Sequence, residues 1–95
     1  MLANMMDQPL LISSLIAHAA RYHGKTEIVS RTLDEGIHRY NWAEAEARSK
    51  RLAKALIALG VQPGQRVATM AWNTYRHLEA YYAIAGMGAV THTVN

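Results

Sequence analysis

The chain has 95 residues, of which 51% are hydrophobic, and its formal net charge is +3 at pH 7. These values are typical of a small globular segment and argue against intrinsic disorder. The absence of cysteine excludes disulfides, thiolate metal sites and a cysteine nucleophile from this segment. The basic excess is mild and no nucleic-acid-binding motif accompanies it, so we expect no nucleic-acid partner.

The first predicted element is an amphipathic helix that follows Pro9, a residue suited to a first helical turn. Its apolar stripe comprises Ile12, Leu15, Ile16, Ala19 and Tyr22, and Gly24 is expected to end the helix. The apolar run 10–20 looks like a signal sequence, but Asp7 precedes it instead of a lysine or arginine. We therefore interpret it as part of a soluble protein, with no membrane span.

Two short runs of strand-forming residues follow, at 27–32 and 37–40. The Leu-Asp-Glu-Gly sequence at 33–36 is a turn signal, so the pair predicts a β-hairpin. We expect Arg31, His38 and Arg39 to lie on its solvent-facing side.

The clearest predicted helix starts at Asn41, whose side chain can cap the first free amides, with Glu44 three residues later as in a capping box. Glu46 and Lys50 form an i,i+4 pair on the exposed side. Gly60 is expected to end the helix. Its predicted apolar face comprises Trp42, Ala45, Ser49, Leu52, Leu56 and Leu59.

A turn at 61–64 leads into a predicted strand–helix–strand unit. The strand at 66–72 is largely apolar, which predicts cover on both faces, and Asn73 can cap the helix that follows. A helical crossover joins parallel strands, so we expect the two strands to be parallel. The helix is apolar nearly all round and must be buried all round, which 95 residues cannot easily achieve. We therefore expect residues 1–95 to be a single segment cut from a larger domain.

The predicted fold class is α/β, with a helix, a β-hairpin, a second helix and a β-α-β unit in that order. The predicted core residues are Leu52, Leu56, Leu59, Val67, Leu78, Tyr82 and Ile84.

No pattern of reactive side chains predicts chemistry within the chain. Gly86 and Gly88 end a helix instead of opening one, so they predict a helix stop and close packing, not dinucleotide binding. Glu44 and Glu46 are two apart on a helix and point to different sides, so they form no acid–base pair. The histidines show no metal-ligand spacing such as HExxH. They are His18, His23, His38, His77 and His92. We predict no catalytic, cofactor-binding or metal-binding residue in 1–95.

A series of short motifs carries a resemblance to a known family. They are Leu-Ala-Lys-Ala-Leu at 52–56, Leu-Gly-Val at 59–61, Pro-Gly-Gln-Arg-Val at 63–67, Trp-Asn at 72–73, Gly-Ala-Val at 88–90 and the final Asn95. In order and spacing they resemble the N-terminus of the AMP-forming acyl-CoA synthetases, of the adenylate-forming superfamily. The stretches 76–82 and 92–93 look most like the medium- and long-chain fatty-acid branch. Asn41-Trp42, Ala45 and Gln65 depart from the family's usual Thr-Tyr, Leu and Asp.

The resemblance implies that the parent protein is a fatty-acid–CoA ligase. In that family a carboxylate attacks ATP to give an acyl-adenylate and pyrophosphate, and the CoA thiol then displaces AMP. The implied substrates and cofactors are a medium- or long-chain fatty acid, ATP, CoA and Mg²⁺. The family's catalytic groups lie in a Ser/Thr/Gly-rich loop with a lysine, at a ribose-binding aspartate and on a small C-terminal domain. None of them matches a position here, so we expect residues 1–95 alone to be inactive and to bind no cofactor.

Two other interpretations stay open. The chain could be a non-enzymatic α/β module that dimerises through its apolar helix. The parent could also be an adenylate-forming ligase for an aryl or other acid, because the acyl pocket of the family lies downstream. A cytoplasmic location is expected for the ligase, and a homodimer is one assembly that it could form.

Overall fold

The computed structural model describes residues 6–95. It confirms the predicted α/β fold class and the order of elements. The elements are α1 (Ser13–Tyr22), β1 (Glu27–Arg31), β2 (Ile37–Asn41), α2 (Trp42–Ala58), β3 (Arg66–Thr69), α3 (Tyr75–Gly86) and β4 (Val90–Thr93). Among the described residues, β1 and β2 form one antiparallel pair and β3 and β4 form one parallel pair.

Helix α1 begins at Ser13, four residues after Pro9, so Pro9 lies outside the first helical turn. Its N-cap is Ile12, which offers no side-chain acceptor, and the amides of Ser14 and Leu15 bond to carbonyls three residues earlier. Only Ile16 of the predicted apolar stripe is buried, whereas Leu15 is 59% exposed. The helix therefore contributes one buried side chain to the core, and much of its predicted apolar stripe is exposed to solvent.

The predicted hairpin is confirmed, with Ile28 opposite Tyr40 in the register. Its turn is closed by Thr32, whose amide and hydroxyl both donate to the carbonyl of Gly36, at 2.7 and 2.8 Å. Gly36 adopts a φ of 75°, a left-handed conformation that glycine tolerates. The predicted turn is therefore confirmed, but the first strand ends at Arg31, one residue before its predicted end at Thr32.

The prediction of which residues lie on the solvent-facing side of the hairpin is partly wrong. Arg31 and Arg39 are exposed as expected, but His38 is half-buried. Side chains alternate along a strand, so His38 must share the inner face with Tyr40, which is 6% exposed. The burial of Tyr40 thus determines the placement of His38.

Helix α2 starts and ends as predicted. The Asn41 side chain accepts a hydrogen bond from the amide of Glu44 at 2.9 Å. At the other end Gly60 takes a φ of 101°, and the amides of Gly60 and Val61 bond back to the carbonyls of Ile57 and Leu56. This pair of bonds is a Schellman motif, which satisfies carbonyls that the helix end would leave free.

The predicted core of α2 needs correction at Leu59, which is 82% exposed. Leu59 is the C-cap residue and keeps helical backbone angles, so it is exposed because no described residue covers this end of α2. Ile84 is fully buried as predicted. The other predicted core residues are half-buried: Leu52, Leu56, Val67, Leu78 and Tyr82. The observed central cluster is formed by Ile16, Tyr40, Ala45 and Tyr75.

The β-α-β unit has the predicted parallel strands, with Val67 opposite Thr91. However, β3 ends at Thr69, whereas the sequence predicted a strand up to Trp72, which is 72% exposed. Within residues 6–95 burial alternates between half-buried Val67 and exposed Ala68, so cover on both faces of β3 stays a prediction about the longer protein. Largely apolar composition alone overestimated the length of this strand.

Asn73 does not cap α3. The N-cap is Thr74, which has extended φ and ψ of −121° and −178° and makes no side-chain capping bond. The backbone amide of Leu78 bonds to the Thr74 carbonyl, so the helix starts one residue later than an Asn73 cap would require. Along the helix Tyr75, Ala83 and Ile84 are buried, but Tyr81 is 37% exposed, so burial is not complete all round.

The two glycines at the end of α3 have different roles. Gly88 has a φ of 86°, and the amides of Gly88 and Ala89 bond to the carbonyls of Ala85 and Ile84, forming a second Schellman motif. Gly86 is the last helical residue, and an added Cβ would lie 3.9 Å from Ser13 Cβ, an ordinary contact. The predicted helix stop is therefore confirmed at Gly88, whereas Gly86 is not required for close packing. No helix within residues 6–95 is long and apolar enough to cross a membrane.

Candidate functional site

A cluster of polar side chains lies where the hairpin, α2 and α3 meet. Its centre is Glu79, which is only 6% exposed. Glu79 Oε2 accepts a hydrogen bond from the Tyr40 hydroxyl at 2.9 Å and another from Arg48 Nε at 2.7 Å. One carboxylate oxygen therefore joins β2, α2 and α3, and we call these three residues the Glu79 cluster.

The electrostatics of the Glu79 cluster favour a structural role. Burial, together with the hydrogen bond that it donates to Glu79, raises the pKa of Tyr40 above its ordinary value near 10. The hydrogen bond to the Glu79 carboxylate raises the pKa of Arg48 as well. Both donors keep their protons at physiological pH. Glu79 Oε2 is thus occupied by two donors and is not a free general base.

Aromatic rings pack beside this cluster. The His38 ring stacks on Tyr75 with 3.6 Å between centroids and 13° between planes, and Tyr40 meets Tyr75 edge-on at 5.7 Å. His38 Nδ1 is buried and finds no hydrogen-bond partner in residues 6–95. The guanidinium of Arg48 lies 5.9 Å from the Tyr75 ring centroid. The inner face of the hairpin is therefore packed directly on the first turn of α3.

Exposed ion pairs connect the hairpin turn to the same helix. The Tyr75 hydroxyl donates to Glu35 Oε2 at 3.1 Å, and Arg76 pairs with both Glu35 and Asp34. The two carboxylates, Asp34 foremost, raise the pKa of Arg76. Because these groups are solvated, their attraction orients the turn without adding much stability.

The carboxyl ends of β3 and β4 form a second candidate ligand site, since ligands of open α/β sheets bind at such ends. The groove there has a volume of about 190 Å³ and is lined by Asn73, His77, Leu78, Tyr81 and Thr93. One His77 ring nitrogen lies 3.1 Å from Thr69 Oγ1. Small-molecule sites usually enclose about 300–1,000 Å³. The described residues alone therefore do not make a nucleotide pocket here.

A larger cleft of about 330 Å³ lies between α1, α2 and α3. Ile16, Ala53 and Ala83 contribute apolar surface to it, and the Glu46–Lys50 pair, 3.4 Å apart, borders it. The hydroxyl of Ser49 donates to the Ala45 carbonyl at 2.8 Å, one turn back along α2. A serine bonded to its own helix is not activated as a nucleophile.

The histidines are spread over the molecule. The His18 ring lies beside that of Tyr22 on α1, tilted by 44° with centroids 4.9 Å apart, and its centroid lies 5.8 Å from that of His23. His92 is exposed on β4. His38 and His77 occupy the separate positions described above. Within residues 6–95, no three His, Asp or Glu side chains are grouped so as to hold a metal ion.

Sequence reasoning missed the Glu79 cluster. Its signal is the position of Glu79, four residues from both Tyr75 and Ala83 and therefore on the same helical face. A single carboxylate on an otherwise apolar face requires a buried partner. The partners Tyr40 and Arg48 lie 39 and 31 residues away, which no local pattern indicates.

Comparison with known proteins settles the family. The model of a family described as AMP-binding enzyme matches residues 15–95. The chain belongs to the AMP-binding enzyme family. The resemblance to the AMP-forming acyl-CoA synthetases, carried by the motifs between 52 and 95, is thereby confirmed.

Relatives of this AMP-binding family member include CoA ligases. The 3-methylmercaptopropionyl-CoA ligase of Ruegeria lacuscaerulensis is 59% identical over 95 residues, which are 100% of this chain and 18% of that relative. The medium-chain-fatty-acid–CoA ligase of Ectopseudomonas oleovorans is 50% identical over 95 residues, again the whole chain and 17% of that relative. The chain thus spans less than a fifth of either relative.

A solved structure agrees with this assignment. The Mycobacterium tuberculosis fatty acyl CoA synthetase has a TM-score of 0.69 and 26% sequence identity to this AMP-binding family member. The match covers 90% of this chain and 16% of that one. The helix, hairpin, helix and β-α-β unit therefore form an arrangement that occurs within a much longer synthetase.

Proposed function

We propose that residues 1–95 are the N-terminal segment of an AMP-forming acyl-CoA ligase. The longer protein activates a carboxylic acid with ATP, which yields an acyl-adenylate and pyrophosphate. The CoA thiol then takes the acyl group, and AMP leaves. The observation that carries this proposal is the family match over 15–95, supported by similarity to two acyl-CoA ligases along the entire chain.

Within that ligase we assign a scaffold role to the described residues. The Glu79 cluster ties the hairpin, α2 and α3 together, and β3 and β4 supply two parallel strands of the large domain. ATP, CoA and Mg²⁺ bind through groups beyond residue 95, in the rest of the AMP-binding domain and in a small C-terminal domain. We further propose a cytoplasmic location for the enzyme, with a homodimer as one assembly that it could form.

For the acid, our first candidate is a medium- or long-chain fatty acid. It is supported by the fatty-acid-branch motifs at 76–82 and 92–93 and by the medium-chain relative. The second candidate is 3-methylmercaptopropionate, the acid that corresponds to the Ruegeria relative's name. That relative shares more identical residues with this chain than the medium-chain ligase does, and for this reason the short sulfur-containing acid is included.

The test is acid-dependent AMP release by the purified longer protein with ATP, Mg²⁺ and CoA. Octanoate, palmitate, 3-methylmercaptopropionate and benzoate are compared by kcat/KM. We expect octanoate or palmitate to give the highest value. A preference for 3-methylmercaptopropionate would select the second candidate, and a preference for benzoate would select an aryl-acid ligase. If no acid promotes AMP release or ATP–pyrophosphate exchange, the ligase proposal fails and the non-enzymatic module gains support.

A further inference from the structure

We draw no further inference here: the strongest candidate, the apolar cleft between α1, α2 and α3 that Ile16, Ala53 and Ala83 line beside the Glu46–Lys50 ion pair, carries nothing because nothing in the structure shows what fills or covers it.

Discussion

At the scale of single residues, the carboxylate of Glu79 differs in kind from the other acidic groups that form ion pairs. It is buried and receives two hydrogen bonds from separate elements. By contrast, the Glu27–Arg39 pair is 3.0 Å long, but both side chains are more than half exposed. Exposed pairs contribute about 0–1 kcal/mol, whereas unpairing a buried charged group is costlier. We therefore expect substitutions around Glu79 to dominate the polar contribution to stability.

Replacing Tyr40 by phenylalanine should lower the free energy of unfolding by about 1–3 kcal/mol, because the buried carboxylate loses one of its donors. The matched control is Tyr22→Phe, at a ring that is 63% exposed, where we expect a change within about 0.5 kcal/mol. Urea unfolding of the 95-residue chain, followed by circular dichroism, measures both. Equal effects of the two substitutions would contradict the role given to the Tyr40 hydroxyl.

The same variant has a characteristic pH dependence. The pKa of Tyr40 is raised in the folded state, and unfolding returns it to the ordinary value near 10. As pH rises past about 10 the unfolded chain loses this proton first, so the contribution of Tyr40 is complete below that pH and declines above it. The stability difference between the wild-type chain and Tyr40→Phe should therefore shrink at pH 10–11. A constant or growing difference would show that burial does not raise this pKa.

At the scale of elements, the two asparagines that the sequence proposes as caps have different environments. Asn41 accepts the bond from Glu44, but Asn73 precedes the true N-cap of α3. Asn41→Ala should cost about 1 kcal/mol in unfolding free energy, whereas Asn73→Ala should be close to neutral. Thermal unfolding followed by circular dichroism at 222 nm compares the stabilities of the two variants. A loss at Asn73 as large as that at Asn41 would mean that Asn73 caps α3 after all.

The two glycines at the end of α3 allow a similar comparison. Gly88→Ala should destabilise by about 1–2 kcal/mol, because a left-handed φ of 86° is strained for alanine. Gly86→Ala should be neutral or stabilising by about 0.5–1 kcal/mol, since Gly86 is helical and a Cβ there meets only Ser13 Cβ, at 3.9 Å. Urea unfolding midpoints measure which variant is less stable, and we expect it to be Gly88→Ala. A less stable Gly86→Ala would contradict the Schellman ending at Gly88.

The sequence predicted turns and helix ends correctly where the interaction that forms them joins residues only a few positions apart in the chain. The turn at 33–36, the cap at Asn41 and the stop at Gly60 are all of this kind. The prediction for Leu59 was wrong because no described residue packs on the end of α2. The prediction for His38 was wrong because its burial depends on packing against Tyr75 of α3, which is distant in sequence. The Glu79 cluster was missed for the same reason, as its partners are distant in sequence.

At the scale of the whole molecule, the described residues bury a small core and leave large apolar side chains open to solvent. Met70 and Trp72, after β3, are 78% and 72% exposed, and Leu10, before α1, is 86% exposed. This exposure agrees with the proposal that residues 1–95 belong to a larger AMP-binding domain. The order of motifs was sufficient to predict the family. The acid is a proposal because it rests on two short motifs and on the names of the relatives.

The most direct test of the account compares AMP formation by residues 1–95 alone with that by the longer protein, under identical ATP, Mg²⁺, CoA and acid concentrations. The account predicts acid-dependent release of AMP and pyrophosphate by the longer protein and none above background by the 95-residue chain. AMP formation by the 95-residue chain, or its absence from the longer protein with every acid tested, would contradict the account.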